Sequence, residues 1–393
     1  MAYRFLYLIV GICFIGLLES CHPNQSGRTG ERKAALQTSV DSGFFYTSTV
    51  KYAEGFSIKM RNGFKEIIVN DPWNKGKIFQ SYYLVPKSSK LPDSIPADVQ
   101  VVRTPVKTLA ALSNTHIGIL KFLGVADRIV ALSLSDHIYD KELSRKAEEG
   151  KIQGVGHAHQ INFEKIVELS PEIVMLAGFM TKTKQEKKLV SAGLPVVYNI
   201  EWMESDPLAR AEWAKFIAAF FNKEKEADKL FNDLDQRYQK VKSLVQKIKS
   251  SPSVVSGYQF KGIWYMPGGK SYLGQVLRDS KGDYCWLSDT TRGSIPLSFE
   301  VVYEKQANAD IWFGPAQCAS LEQLKNMDER YTLFKAYKTG QVYCCTKRMT
   351  ASGANDWWES GIMKPDTVLK DIIKILHPEV LPDYELYFYK KLN

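Results

Sequence analysis

The chain lacks several features that would assign it to a familiar class. Six cysteines among 393 residues are too few for a disulfide-built scaffold, and no Cys-x-x-Cys spacing predicts a structural zinc site. The sequence contains no Gly-x-Ser-x-Gly elbow, phosphate-binding loop, His-Glu-x-x-His motif or dinucleotide-binding glycine fingerprint. Solenoid-type repeats are also missing, which argues against a surface adhesion or scaffold protein. The common enzyme and repeat classes are therefore not favoured.

The composition is that of an ordinary globular protein. Hydrophobic residues make up 45%, charged residues 24% and aromatic residues 12%, which excludes disorder and a polytopic membrane protein. A length of 393 residues exceeds one hydrophobic core and predicts two lobes of about 100–200 residues each. The formal charge of +9, from 52 Lys and Arg against 43 Asp and Glu, is too diffuse to predict a nucleic-acid partner.

The first twenty-one residues form the one strongly biased stretch. Arg4 precedes an uncharged run of fourteen residues, Phe5 to Leu18, which fits a signal peptide and is short for a bilayer span of about 20 residues. The following Leu18-Glu19-Ser20-Cys21 resembles the lipobox of bacterial lipoproteins. We therefore predict a signal peptide at residues 1–20, an acylated Cys21 that anchors the protein, and a tether through residue 50. The alternative is a simple cleaved signal with an incidental cysteine, and either one takes the mature protein out of the cytoplasm.

Residues 51–205 are predicted to form an N-terminal α/β lobe with a leading hairpin. Apolar residues alternate from Phe56 to Met60, and Asn62-Gly63 then supplies a two-residue turn. From Val99 short apolar runs alternate with helical patterns, as βαβ units of a parallel sheet require. Strands are predicted at residues 106–112, 129–132, 173–176 and 196–197, with one helix after Ser113 that ends at Gly124 and a second capped by Asn162.

A helical segment follows at residues 206–250. Asp206-Pro207 supplies a cap and a first helical residue, and the helix continues to Phe221. Glu224 to Lys249 then carries an unbroken amphipathic stripe, which predicts a helix of 26 residues and about 39 Å. A coiled coil is the minor alternative for this stripe, because it spans fewer than four heptads. Residues 251–393 are predicted to form a C-terminal α/β lobe.

The second lobe contains an echo of the first. Phe163-Glu164 begins a helical pattern that is followed by the strand at Ile173, and Phe299-Glu300 begins one that is followed by Ile311-Trp312. A capped helix before a strand is a common unit, so the similarity gains weight only because it occurs in both halves.

Two runs of the sequence resemble a known family. Gly154-Val155-Gly156, continuing through Asn162 to Val174, is similar to the first-lobe signature of periplasmic binding proteins for iron complexes and cobalamin, and Thr108 to Leu132 is similar to their opening unit. The resemblance implies an α/β fold of two Rossmann-like lobes joined by a single long α-helix. It also implies a binding protein of an ABC importer that captures a ferric siderophore or a corrinoid between the lobes. Such a protein performs no reaction and has no cofactor, and the iron or cobalt belongs to its ligand.

The resemblance further implies a partner and a location. In this family one surface glutamate on each lobe docks into arginines of the permease dimer, and the matching positions are Glu164 and Glu300. The alternative for each glutamate is complementation of a helix dipole. With Cys21 acylated, we expect a membrane-anchored lipoprotein at the periplasmic face of a Gram-negative cell envelope.

The ligand is expected at loops that follow the carboxyl ends of strands. Aromatic and histidine side chains suit a macrocycle or a catecholate, although core packing is the alternative for each of them. The candidate ligand-binding residues are His116, His157, Trp202, Trp264, Tyr265, Tyr284, Arg348, Asn355 and Trp357. His157-Ala158-His159 also admits direct metal ligation, but the sequence identifies no third ligand. Arg292 and Arg348 are candidates for pairing with ligand carboxylates.

Several alternatives stay open at this level. Cys285 or Cys318 could bridge to Cys344 or Cys345, or all four could be buried thiols. Haem, siderophore and cobalamin share size and a central metal, so a haem-binding protein of the same class is an alternative. A periplasmic metal-dependent enzyme on a similar two-lobed fold is another.

Overall fold

The structure is a computed structural model that describes residues 44–156, 160–314 and 318–393. The predicted signal peptide, Cys21 and most of the tether lie outside the described residues, as do His157 and His159. None of the helices within the described ranges is both long and apolar enough to cross a membrane.

Strands and helices alternate along most of the described chain. The strands are β1 (Phe56–Met60), β2 (Lys65–Asn70), β3 (Ile78–Pro86), β4 (Val99–Thr104), β5 (Leu109–Ala111), β6 (Ile129–Leu132), β7 (Gln153–Gly154), β8 (Ile173–Ala177), β9 (Val196–Asn199), β10 (Val254–Ser256), β11 (Gln259–Phe260), β12 (Ile263–Pro267), β13 (Ser294–Leu297), β14 (Ile311–Phe313), β15 (Val342–Cys344) and β16 (Lys390–Lys391). The α-helices are α1 (Asn114–Phe122), α2 (Lys141–Glu148), α3 (Phe163–Leu169), α4 (Lys184–Ser191), α5 (Pro207–Ala219), α6 (Glu224–Ser243), α7 (Tyr272–Asp279), α8 (Phe299–Gln306), α9 (Leu321–Met327), α10 (Lys335–Lys338), α11 (Asp356–Glu359) and α12 (Pro365–Leu376).

The chain begins with a four-stranded sheet in the order β1-β2-β3-β4, which we call the N-terminal sheet. The predicted hairpin is confirmed, because Phe56 pairs with Val69 and Met60 pairs with Lys65 in antiparallel register. Gly63 closes the turn at φ 83°, a conformation that favours glycine. The strand that starts at Val99 is β4, which pairs with β3. The βαβ alternation therefore begins at β5, ten residues later than the sequence pattern indicates.

A five-stranded parallel sheet in the order β7-β6-β5-β8-β9 forms the centre of the first lobe. This confirms the predicted parallel sheet, and β6 has the predicted bounds. The local signals also hold, since the Asn162 side chain accepts the Lys165 amide at 3.0 Å. Strand β5 is shorter than predicted because the Val106 amide donates to the carbonyl of Phe220 at 2.9 Å instead of joining the sheet.

The N-terminal sheet covers the open edge of β9. The Tyr82 hydroxyl donates to the Val196 carbonyl at 3.0 Å and accepts the Tyr198 amide at 2.9 Å. The Gln100 side chain accepts the Val196 amide at 2.7 Å and donates to the same residue's carbonyl at 3.1 Å. Backbone groups that would otherwise be unpaired at a sheet edge are satisfied by side chains. The two sheets are therefore fixed to each other along β9.

Helices α5 and α6 carry the chain to the second lobe. Asp206 caps α5 as predicted and accepts the Leu208 amide at 2.7 Å. Helix α6 has 20 residues, or about 30 Å. This corrects the predicted length of 26 residues. After Ser243 the backbone bonds tighten, with the Leu244 amide donating to Val241 at 3.1 Å, and Leu244 is 42% exposed. The apolar face nevertheless stays packed beyond the helix, because Val245 is 1% exposed and Ile248 packs on the core.

The segment before β1 lies along the same two helices. The Glu212 carboxylate accepts the backbone amides of Lys51, Tyr52 and Ala53 at 2.6–3.1 Å. The Tyr46 hydroxyl donates to Asp228 at 2.5 Å. Tyr46 belongs to the predicted tether, and Phe44 and Ser48 are buried. The predicted tether through residue 50 is therefore corrected, because its described end packs on the folded chain.

The second lobe contains two smaller sheets, β10-β14-β15-β16 and β11-β12-β13. Strands β10, β14 and β15 are parallel, which confirms the α/β assignment of this lobe. The echo is also confirmed, because α3 precedes β8 and α8 precedes β14, with glutamate as the second residue of each helix. The four described cysteines form no disulfide with one another, which favours the thiol alternative, although Cys285 is exposed.

Candidate functional site

Both lobes contribute to a cavity of about 490 Å³. From the first lobe it is lined by the residues that follow β9, including Met203 and Glu204, and by the loop between β2 and β3. From the second lobe it is lined by Arg292, which precedes β13. The carboxyl end of β9 is the expected position for a ligand site in an open α/β sheet. We call this cavity the mouth cavity.

The carboxylate of Glu204 lines the mouth cavity, is buried, and accepts hydrogen bonds from three N–H groups of the protein. It accepts the Gly55 amide at 2.8 Å, the Glu54 amide at 3.1 Å and the indole N–H of Trp213 at 3.0 Å. Burial raises the pKa of Glu204. A Cβ at Gly55 would lie 2.6 Å from a ring carbon of Trp213, so the close approach of this backbone requires glycine. Glu204 therefore holds the wall together.

One exposed ion pair joins the lobes across the mouth cavity. The Arg292 guanidinium lies 2.7 Å from the Glu54 carboxylate, and the two side chains are 42% and 69% exposed. An exposed pair of this kind contributes about 0–1 kcal/mol. The lobes are therefore linked only weakly at this point.

Aromatic side chains lie beside the mouth cavity in a group that we call the aromatic shelf. Its members are Trp73, Phe79, Phe179 and Trp202. The rings of Trp73 and Trp202 are 6.0 Å apart, and those of Phe179 and Trp202 are 5.8 Å apart. Phe179 is 44% exposed and Trp202 is 36% exposed. Large, flat and partly exposed surfaces of this kind suit a ligand with an extended ring system.

The sequence pattern identified Trp202 but missed four residues of this region, namely Trp73, Phe79, Phe179 and Met180. Phe179 and Met180 directly follow the carboxyl end of β8, and Met180 is 65% exposed. The rule that selected the other loops would have found them, because loops after parallel strands carry ligand contacts. Trp73 lies between two strands of the N-terminal sheet, and no local signal connects it with the cleft.

A second cavity, of about 710 Å³, lies between α1 and the segment that contains α11. Arg348 lines it, with its guanidinium 2.6 Å from Asp356 and 4.3 Å above the ring of Tyr387. Trp357, next to Asp356, packs on the rings of Phe388 and Tyr389 at 5.5 and 5.3 Å. The structure thus brings Arg348 to a cavity surface, whereas it packs Trp357 against the second lobe's own core.

The lobes are in close contact beside this second cavity. The Glu359 carboxylate accepts the backbone amides of Tyr139 and Asp140 at 2.8 and 2.9 Å. A Cβ at Gly118 of α1 would lie 1.9 Å from the carbonyl oxygen of Glu359. Burial raises the pKa of Glu359 to about 7, although both amides favour its ionised form. This arrangement is a buried junction between the lobes.

Four candidates from the sequence are core residues, so their assignment to the ligand site is corrected. Trp264 is fully buried, donates to the Ser256 carbonyl at 2.8 Å and stacks on Trp312. Tyr284 is 2% exposed and donates to the Pro267 carbonyl at 2.6 Å. Asn355 is 3% exposed and caps α11.

His116 is the fourth of these core residues. It is fully buried, and neither ring nitrogen finds a hydrogen-bond partner among the described residues. Burial lowers its pKa to about 3, so the ring is neutral. Helix α1 begins just after the carboxyl end of β5, but it directs the His116 side chain into the core of the lobe.

Tyr265 differs from its neighbour because side chains alternate along a strand. In β12, Trp264 and Met266 are buried whereas Tyr265 is 45% exposed. Tyr265 therefore stays available to a ligand. His157 and His159 lie outside the described residues, and the part of the chain that the structure describes holds no group of three or more candidate metal ligands.

The two predicted docking glutamates are exposed in the first turns of α3 and α8. Hydrogen bonds with its own amide and with the Ser298 hydroxyl lower the pKa of Glu300. Arg330 lies 3.5 Å from the same carboxylate. Both positions are accessible to a partner.

Two α/β lobes with a shared cavity and a helical connection define the class of two-lobed solute-binding proteins. A comparison with protein families agrees: the model of the periplasmic binding protein family matches residues 109–349, and the chain belongs to that family. Its matched region begins at the first residue of β5, so the N-terminal sheet precedes it.

Individual proteins extend the comparison. The chain is 28% identical to an uncharacterized lipoprotein of Methanocaldococcus jannaschii, over 88% of this chain and 86% of that protein. A possible iron-binding (periplasmic solute-binding) protein of Staphylococcus epidermidis superimposes with a TM-score of 0.54 at 20% identity, over 69% of this chain and 99% of that one. A periplasmic heme-binding protein of Vibrio cholerae gives 0.51 at 16% identity, over 67% and 98%. These structures share the fold.

Proposed function

We propose that the protein is the solute-binding component of an ABC importer and that it captures a metal chelate between its lobes. The observation that carries this proposal is the aromatic shelf beside a cavity that both lobes line. A cavity of about 490 Å³ falls within the range of small-molecule sites, which is about 300–1,000 Å³. The partly exposed rings of Phe179 and Trp202 suit a conjugated ligand such as a ferric catecholate siderophore, a corrinoid or haem.

Structural relatives support a chelate but not a choice among chelates. One is described as possibly iron-binding and another as heme-binding, and both share only the fold at 16–20% identity. Haem is therefore the second candidate beside the siderophore and the corrinoid. Titration of the purified protein with haemin, a ferric tris-catecholate and cyanocobalamin tests the class. We expect a Soret shift or quenching of tryptophan fluorescence with at least one, and silence with all three contradicts the proposal.

We also propose that the mature protein is anchored through an acylated Cys21. The lipobox-like sequence supports this, as does the lipoprotein name of a relative that aligns with 88% of this chain. That relative is archaeal, so the Gram-negative cell envelope expected from the sequence stays a prediction. Mass spectrometry of the protein from the membrane fraction should detect the acyl chains on Cys21. In a fractionation experiment, Cys21→Ser should move the protein from the membrane fraction to the soluble fraction.

Glu164 and Glu300 are proposed as the permease-docking pair. Their matching positions on two exposed helix starts support a partner with two similar basic pockets. Glu164→Ala with Glu300→Ala should abolish uptake in cells that carry the cognate permease while ligand affinity stays unchanged. Glu168→Ala with Glu304→Ala is the matched control, because these exposed glutamates lie one turn later on the same helices. Uptake that survives the first pair contradicts the docking assignment.

A further inference from the structure

We propose that the loop between β2 and β3, residues 71–77, is a third wall of the ligand cleft and recognises an anionic group on the ligand. This inference rests on the proposed function. It specifies which chemical group of the ligand the N-terminal sheet would recognise. The loop lies before residue 109, where the family match begins. It therefore lies outside the region that the family model matches.

The loop is rigidly built. The Asp71 carboxylate accepts the backbone amides of Trp73 and Asn74, each at 2.9 Å, and the Asn74 side chain at 3.0 Å. The Asp71 amide donates to the Lys77 carbonyl at 2.9 Å, which closes the loop. Gly76 has φ 81°, so a residue with a Cβ would strain the turn. A preformed wall of this kind loses little entropy when a ligand binds.

Strand β3, which follows the loop, is fixed to the segments that form the cleft. The Lys182 ammonium, which follows β8, donates to the Phe79 carbonyl at 3.0 Å and to the Gln80 side chain at 2.8 Å. A Cβ at Gly178 would lie 2.7 Å from Ile200, and Phe79 lies 3.5 Å from the same point. The strand that directly follows the loop is therefore held against the segments after β8 and β9.

Two side chains of the loop supply positive charge at the cavity. Lys75 and Lys77 line the mouth cavity and are exposed, and neither forms an ion pair with a described residue. The carboxylates of the same cavity are all engaged: Asp71 by the loop, Glu204 by three N–H groups and Glu54 by Arg292. The ammonium groups of Lys75 and Lys77 are thus the cations of this lining that remain open to an anionic ligand.

The aromatic shelf lies next to the two lysines, and together they indicate the kind of ligand that the cavity suits. The ring of Trp73 lies 6.0 Å from Trp202 and 5.7 Å from Phe79, so the loop carries the aromatic shelf toward the two lysines. A ligand on the shelf meets rings on one side and ammonium groups at the edge of the cavity. This pairing suits a conjugated chelate that bears carboxylates or catecholate oxygens, and it gives a neutral corrinoid no charge contact.

The test measures dissociation constants for haemin and a ferric tris-catecholate as anionic probes and cyanocobalamin as the neutral probe. Lys75→Ala with Lys77→Ala should weaken the anionic probe that binds by about tenfold, and added salt should reduce that difference. Lys75→Arg with Lys77→Arg should restore most of the affinity. Lys187→Ala with Lys188→Ala is the matched control, because these exposed lysines lie on α4, away from the mouth cavity.

The outcomes separate the two proposals. If the wild-type protein binds an anionic probe and the alanine pair binds it equally well, the loop is not a wall, and the proposed function stands. If the wild-type protein prefers the neutral probe, recognition of an anionic group is wrong. If it binds none of the three, the proposed function fails, and this inference fails with it. Thermal denaturation of each variant verifies folding, which exposed lysines should not alter.

Discussion

Two of the contacts between the lobes differ in burial. At the buried junction, defined above by Gly118, Tyr139, Asp140 and Glu359, backbone atoms and a 3%-exposed glutamate are in direct contact. At the mouth cavity, the exposed side chains of Glu54 and Arg292 form one ion pair. The same two lobes are thus packed tightly at one contact and linked loosely at the other.

This difference indicates where relative motion of the lobes costs least. Separation at the junction removes two charge-assisted hydrogen bonds, each worth about 1.5–3 kcal/mol. Separation at the mouth breaks an exposed pair worth about 0–1 kcal/mol. Helices α5 and α6 keep their internal bonds in either case. Small adjustments therefore concentrate at the mouth cavity, where a ligand would enter.

The largest expected effect comes from filling the space at Gly118. Gly118→Ala should lower the free energy of unfolding by about 2 kcal/mol or more, because the new Cβ would lie 1.9 Å from a backbone oxygen. Helix propensity alone would favour alanine by about 1 kcal/mol, so a loss identifies the contact as its cause. Urea denaturation measures the change.

Gly293→Ala is the matched control at the mouth. No heavy atom lies within 4 Å of the position that its Cβ would take, and a change below about 0.5 kcal/mol is expected. Equal stability of the two variants would show that the junction is not tightly packed, which removes the contrast between the two contacts.

The next effect is a pH dependence that belongs to the junction. Burial raises the pKa of Glu359 from 4.5 to about 7, so the folded protein holds a proton that the unfolded chain releases in this interval. Stability contributed by this group is present below about pH 4.5 and decreases as the pH rises to about 7, by about 3 kcal/mol. Glu359→Gln should flatten this decrease in urea denaturation series.

Two comparisons sharpen this result. Glu54→Gln at the mouth should keep the wild-type slope, because its side chain is exposed. Burial also raises the pKa of Glu224, so part of the slope should persist in Glu359→Gln. If Glu359→Gln kept the full wild-type slope, Glu359 would not be the source of the pH dependence.

Sequence patterns predicted features that depend on neighbouring residues better than features that depend on packing between distant segments. The bounds of β6 and the cap at Asp206 depend on neighbours within a few residues, and both are correct. Which of Trp264 and Tyr265 faces the core depends on how β12 packs on the second lobe, so the alternation alone could not choose between two aromatic neighbours. The role of Tyr82 at β9 depends on a contact 114 residues away.

The smallest expected effect tests the mouth directly. A double-mutant cycle with Glu54→Ala and Arg292→Ala should give a coupling free energy below about 1 kcal/mol that falls further in about 1 M salt. The matched pair is Arg348 with Asp356, which lies by the junction with side chains 33% and 5% exposed. Its coupling should be larger and less sensitive to salt, because a buried carboxylate is poorly screened. Arg348 and Asp356 both belong to the second lobe, so this pair tests the effect of burial alone. If both pairs gave the same coupling and salt dependence, burial would not set the strength of an ion pair in this protein.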